Sequence, residues 1–168
     1  MRPLFYSYYD SPVGRLLMAG NEEALHILSF PTGSKTIEPK SEWEPSDAPF
    51  GEVVRQLDAY FRGELRTFTL PYRLSGTNFQ NQVWQALAYI PYGETISYGK
   101  LATKLGTPKA SRAVGAANGN NPLPIILPCH RVIGADGSLT GFGGGLPLKR
   151  HLLTLEGAPL QQAMEFGA

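Results

Sequence analysis

The chain has 168 residues, 42% apolar and 17% charged, with a net charge of +1; this is the composition of an ordinary globular protein able to bury a core. One cysteine, Cys129, excludes an internal disulfide and a multi-cysteine zinc site, and His26, His130 and His151 are too scattered to suggest a metal centre. The opening residues hold no long apolar run, so no signal peptide or membrane span is expected and a cytoplasmic protein is the simplest reading.

In chain order, "LFYSYY", "RLLMAG" and "ALHILSF" are aromatic and aliphatic runs separated by the turn signals "DSPVG" and "NEE", and they predict a β meander. Residues 31–49 are polar and proline-rich and predict a loop. Phe50, Val53, Val54, Leu57, Tyr60 and Phe61 recur at helical spacing, with Gly63 as the stop. "LRTFTLPYRL" predicts an extended segment. The first half, 1–75, reads as a small α+β unit and carries no catalytic constellation.

The second half, 76–168, changes to helical punctuation. Thr77 with Gln80 fits a capping box opening "NFQNQVWQALAYI", which Pro91 and Gly93 end. Ser97 caps "YGKLATKL" and Gly106 closes it; Thr107, with Pro108 in the first turn, caps a helix through "KASRAVGAAN" to Gly119. An extended run around Ile125 and Ile126, the cysteine loop and the glycine-rich "GADGSLTGFGGGLP" follow. A last helix, "LKRHLLTLEG", points Leu148, Leu152 and Leu155 inward. The two short helices joined by a tight turn predict a helix-turn-helix.

Charge is unevenly spread. Residues 1–94 carry 8 basic and 11 acidic side chains, whereas residues 95–150 carry Lys100, Lys104, Lys109, Arg112, Arg131, Lys149 and Arg150 against Asp136 alone. Such a block favours an anionic partner, DNA or RNA, and its field favours a thiolate at Cys129. The second short helix is rich in small residues, among them Ala110, Ser111, Ala113 and Gly115. They suit close approach to a polynucleotide backbone, with phosphate at the helix N-terminus. A solvated basic face and two core helices packed through alanines are the plain alternatives.

A free thiol has a pKa of about 8.5, so a nucleophilic cysteine needs a base or a positive field. His130 is adjacent to Cys129, and Glu156 is a candidate to orient it. Neighbours on a regular strand point to opposite faces, so the pair needs a bend, which Pro128 favours, or an intervening water. A buried small hydrophobe is the competing reading of a lone cysteine. Gly143, Gly144 and Gly145 suit a backbone that approaches a ligand. Asn120 and Asn121 before Pro122 are candidates to tie loops together. Tyr98, at a helix start, is a candidate acid or a packing residue.

Taken together, "LPCHRVIGADGSLTGFGGGLPLKRHLLTLEG" closely resembles the active-site region of the O6-alkylguanine-DNA alkyltransferases, also called methylated-DNA–protein-cysteine methyltransferases. The hallmark Pro-Cys-His-Arg-Val stands at Pro128 to Val132. "FQNQVWQALAYIPYGETISYGKLA", "ASRAVGAANGNNPLPII" and the closing "LEG" match in order, so the resemblance covers about residues 77–157 strongly and the first half weakly. It implies an α+β protein, with a ribonuclease-H-like N-terminal domain of small β-sheet and helix over 1–75. A C-terminal winged helix-turn-helix alkyltransferase domain would span 76–168.

The implied activity is suicidal DNA repair, in which the alkyl group of a flipped O6-alkylguanine passes irreversibly to Cys129. Activity on O4-alkylthymine stays open. The implied partner is double-stranded DNA containing O6-alkylguanine, with no cofactor, no metal, no membrane and no obligate protein partner, the protein being a monomer.

By the same resemblance, His130 takes the thiol proton through a water, Glu156 orients His130, and Tyr98 donates to the departing guanine. Asn121 braces the cysteine loop and Arg112 enters the duplex as the base leaves. Backbone near Cys129, Val132 and Gly143 reads the guanine edge, while Ser97, Ala110, Ser111 and Gly115 belong to the DNA-contacting surface. One position departs from the family pattern: Phe142 stands where a tyrosine is expected, keeping the stacking ring but not its hydroxyl. Three rival activities remain to be separated: a lesion sensor without transfer, a cysteine hydrolase with turnover, and a sequence-specific helix-turn-helix regulator.

Overall fold

The computed structural model describes residues 4–139 and 142–160. Residues 1–3 and 161–168, the ends of the two expected domains, lie outside the described residues, as do Thr140 and Gly141 of the glycine-rich stretch.

Three strands form the expected meander: β1 (Phe5–Ser11), β2 (Gly14–Gly20) and β3 (Leu25–Ser29), each antiparallel to the next. Gly14, at φ +109°, makes the first turn, where a side chain would be strained. The loop expected over 31–49 is not loop throughout. Its end supplies β4 (Glu44–Pro45), which pairs parallel to β1 and gives the sheet order β3-β2-β1-β4. The cause is Trp43, buried with Leu17 and Ala19 on one face of the sheet. Burial of so large an apolar ring outweighs the polar composition around it.

After a 3-10 turn at Ala48–Phe50, α1 (Gly51–Phe61) buries Val53, Leu57 and Tyr60 in the core on the sheet's other side. The expected extended segment after it is anchored at few points. Gln56 accepts from Thr69 N at 2.9 Å, and Leu25 makes an isolated bridge to Tyr72.

α2 (Asn78–Leu87) opens with both bonds of the Thr77–Gln80 capping box and ends three residues before Ile90. α3 (Tyr98–Lys104) is capped by Ser97, whose Oγ accepts from Lys100 N at 3.1 Å. α4 (Ser111–Gly119) begins later than expected. Residues 107–110 close a turn of their own, with Ala110 N donating to Thr107 O at 2.9 Å, so Ala110 rather than Thr107 precedes the helix.

The run around Ile125 is a turn rather than extended. Leu127 N donates to Leu123 O at 2.8 Å, and Ile125 adopts φ +73°, an outlier for a β-branched residue. α5 (Leu146–Leu155) buries Leu152, Leu153 and Lys149, with Leu148 and Leu155 partly buried. β5 (Ile96–Ser97) pairs parallel with β6 (Val132–Ile133), tying the start of α3 to the segment after the cysteine. Trp84 Nε1 donates to Ala117 O at 2.7 Å and locks α2 to α4. Side chains from both halves enter one continuous apolar core, from Leu16 and Leu57 to Leu101 and Leu152.

Candidate active site

Cys129–Arg131 form a single 3-10 turn after Pro128. The bend separates the neighbours: Cys129 lines a cavity with Asn121, Phe142 and Gly143, whereas His130 turns to Glu156. The turn is fixed from α4, because Asn118 Nδ2 donates to Cys129 O at 3.2 Å. Asn121 Nδ2 donates to Leu127 O at 2.7 Å, and its Oδ1 accepts from Leu123 N at 2.9 Å. One asparagine thereby clamps both ends of the turn that precedes the cysteine.

Glu156 receives donors from three side chains and from the backbone N–H of Gly93, at 3.3 Å from Oε1. His130 Nε2 lies 2.7 Å from Oε2, and Tyr60 Oη donates to Oε2 at 2.6 Å. Arg131 donates from Nε to Oε1 at 2.8 Å and from Nη2 to Oε2 at 3.0 Å, a bidentate pair. Burial alone would push the Glu156 carboxyl up, but His130, Arg131 and Tyr60 overcome it and hold the group well below the usual carboxylate range. Burial, with Arg131 and Lys149 nearby, keeps His130 neutral at neutral pH, although Glu156 opposes the shift. An ionised Glu156 can only accept, so the proton of the neutral ring is assigned to Nε2. Nδ1 is left as a buried acceptor with no hydrogen-bond partner among the described residues.

Burial works against ionisation of the thiol. Burial pushes Cys129 up to about 11, against the pull of Asn121 and Lys149. The thiolate-favouring field expected from the basic block is outweighed by desolvation. That block is also divided. Arg131 and Lys149 are buried, whereas Lys100, Lys104, Lys109 and Arg112 are exposed. Lys149 Nζ donates to Val132 O at 2.6 Å and lies 5.9 Å from the Tyr98 ring centroid and 6.0 Å from that of Phe142. Burial brings Lys149 down to about 8, opposed by Cys129.

The structure therefore gathers Cys129, His130, Glu156, Asn121, Phe142, Gly143, Val132 and Tyr98 around one buried region. Ser97 acts as the cap of α3. Ala110, Ser111 and exposed Arg112 stand at the start of α4, outside the cavity. Gly115 is half-exposed on the same helix, where a Cβ would lie 3.7 Å from the Tyr98 ring. Tyr60, Arg131, Asn118 and Lys149 were not singled out from sequence. Arg131 alone carried a signal, as the fourth residue of Pro-Cys-His-Arg-Val.

Fold and site together define a class: a buried thiol next to a histidine–carboxylate pair, mounted beside two short helices joined by a turn. A family model described as the 6-O-methylguanine DNA methyltransferase ribonuclease-like domain matches residues 4–74, and one described as the DNA binding domain of the same protein matches residues 78–158. A methylated-DNA–protein-cysteine methyltransferase of Methanosarcina acetivorans is 52% identical over 155 residues, 92% of this chain and 99% of that one. The crystal structure of Mycobacterium tuberculosis OGT in complex with DNA superposes with a TM-score of 0.86 at 50% identity, covering 92% of this chain and 95% of that one. The Mycobacterium tuberculosis O6-methylguanine methyltransferase structure gives 0.85 at 48% identity, covering 98% and 99%. The chain belongs to the O6-methylguanine-DNA methyltransferase family.

Proposed function

We propose that this protein repairs DNA by moving the alkyl group of O6-alkylguanine onto its own Cys129. The observation that carries the reading is the buried relay: a thiol in a cavity, a neutral His130 with Nδ1 available, and an ionised Glu156 fixing Nε2. Sγ attacks the alkyl carbon, the S–C bond forms as the C–O bond breaks, and the electron pair leaves on guanine O6. The thiol proton passes through one water to Nδ1. Tyr98 supplies a proton to the departing base. The thioether product has no good leaving group, so each molecule acts once.

The thiol pushed up to about 11 gives the relay its purpose. At neutral pH, Cys129 becomes nucleophilic only as its proton is taken, with the buried Lys149 ammonium stabilising the developing charge. The target atom lies inside a base stack, so the nucleotide must be flipped out. In this reading Arg112, the exposed second residue of α4, fills the gap, and the exposed Lys100, Lys104 and Lys109 supply phosphate contacts. The backbone around Val132 and Gly143 reads the base, and Phe142 stacks on it.

Residues 1–75 and 76–168 are the two units of this reading. The cytoplasm is its compartment, because the acceptor must stay a thiol. Among the described residues no helix is long and apolar enough to cross a membrane. Cys129→Ala tests the assignment. We expect lesion-duplex binding close to wild type with no transfer; retained transfer overturns it.

A further inference from the structure

The cavity over Cys129 has a wall that the catalytic half does not supply. Phe30, Lys35 and Ile37 line it opposite Cys129, Phe142 and Gly143. The enclosed space is small, about 40 Å³, far below the roughly 300–1,000 Å³ typical of ligand pockets, so the wall leaves little room beside the thiol.

The wall is built rather than incidental. Ser29 Oγ accepts from Ile37 N at 2.8 Å, which closes the segment 29–37 into a compact loop. Leu28 N donates to Pro122 O at 2.9 Å and fixes the loop's root to the chain leading to the cysteine. The Phe30 and Phe142 rings lie 5.6 Å apart at 50°. Backbone meets backbone at Gly33 and Gly143, where a Cβ on Gly33 would lie 2.0 Å from Gly143 O; Gly33 itself has φ +101°. A Cβ on Gly143 would meet Lys35 Cγ at 2.8 Å. Only glycines permit this approach.

Resting on the alkyl-transfer reading, we propose that the 30–37 loop sets the largest alkyl group the protein accepts, with Lys35 and Ile37 as its specificity-determining side chains. In a productive pose the alkyl carbon must touch Sγ, so whatever that carbon carries is confined between the cysteine side and this wall. A methyl group needs no room beyond the reacting carbon. A benzyl group must find space that Lys35 and Ile37 occupy. Both side chains are exposed on their outer side, so truncating them opens the wall without cutting into the core.

The experiment compares single-turnover transfer from one duplex carrying either O6-methylguanine or O6-benzylguanine, using the full chain and the variants Lys35→Ala and Ile37→Ala. An extra methylene in an apolar pocket changes rate by roughly 10- to 200-fold, so the benzyl-to-methyl ratio should rise about tenfold in at least one variant. An unchanged or lowered ratio in both variants overturns the proposal, including the case in which both rates fall together through weaker DNA binding. Failure of the wild-type protein to take a methyl group at all overturns the transfer reading itself.

Discussion

Glu156 concentrates the charge of the site on one residue. Its carboxylate balances Arg131, holds His130 in one tautomer and accepts from Tyr60. A carboxyl whose folded pKa is depressed contributes stability that is present above its unfolded value of about 4.3 and lost as pH falls through the lower folded value. His130, held neutral, adds to the acid side: below about 6.5 the unfolded chain binds a proton that the folded one refuses. Glu156→Gln strands Arg131 and should cost about 3–5 kcal/mol at neutral pH. Urea titrations of both proteins should show this gap narrowing as pH drops below the carboxylate range; a gap independent of pH would contradict the linkage. The Cys-His pair was legible in the sequence because the residues are contiguous in a specific motif. Tyr60, Asn118 and Lys149 were not. Tyr60 is spaced like any core aromatic and Lys149 like any member of a basic face, and only tertiary contact gives them their roles.

Among the elements, α2 and α4 divide stability from function. The Thr77–Gln80 box satisfies backbone donors at the start of α2, outside the cavity that holds the thiol. Thr77→Ala should lower stability by about 1 kcal/mol, read as a lower Tm, with the rate of alkyl transfer kept. On α4, Arg112 is exposed and outside the cavity. Arg112→Ala should slow repair of a lesion in duplex DNA far more than reaction with free O6-benzylguanine. Equal losses on both substrates would remove its role in base extrusion. Capping residues marked α2 and α3 in the sequence, because a cap is a local interaction. The start of α4 and the turn at Ile125 escaped, since a Thr-Pro pair serves a turn as well as a helix. An apolar run likewise gives no hint of one residue at φ +73°.

Across the whole molecule, the N-terminal half reaches the site built by the C-terminal half. Tyr60 reaches from α1 to the Glu156 carboxylate, and the 30–37 loop lines the cavity that holds the thiol. A hydrogen bond to a charged group is worth about 1.5–3 kcal/mol. Tyr60→Phe should therefore lower stability by that order and slow transfer at a given pH, with lesion-duplex affinity little changed. A variant with wild-type transfer kinetics would reduce Tyr60 to packing. None of this cross-chain arrangement was legible from the first half, whose polar loop hid both β4 and the pocket wall.

The account stands on Cys129 as a sacrificial acceptor. Its most direct test is intact-protein mass spectrometry after mixing with a duplex holding a single O6-methylguanine, followed by peptide mapping. A gain of one methyl group on the peptide containing Cys129, saturating at one per protein molecule, is the predicted result. Tight lesion binding with no mass gain, or repeated turnover with only a transient adduct, would contradict it.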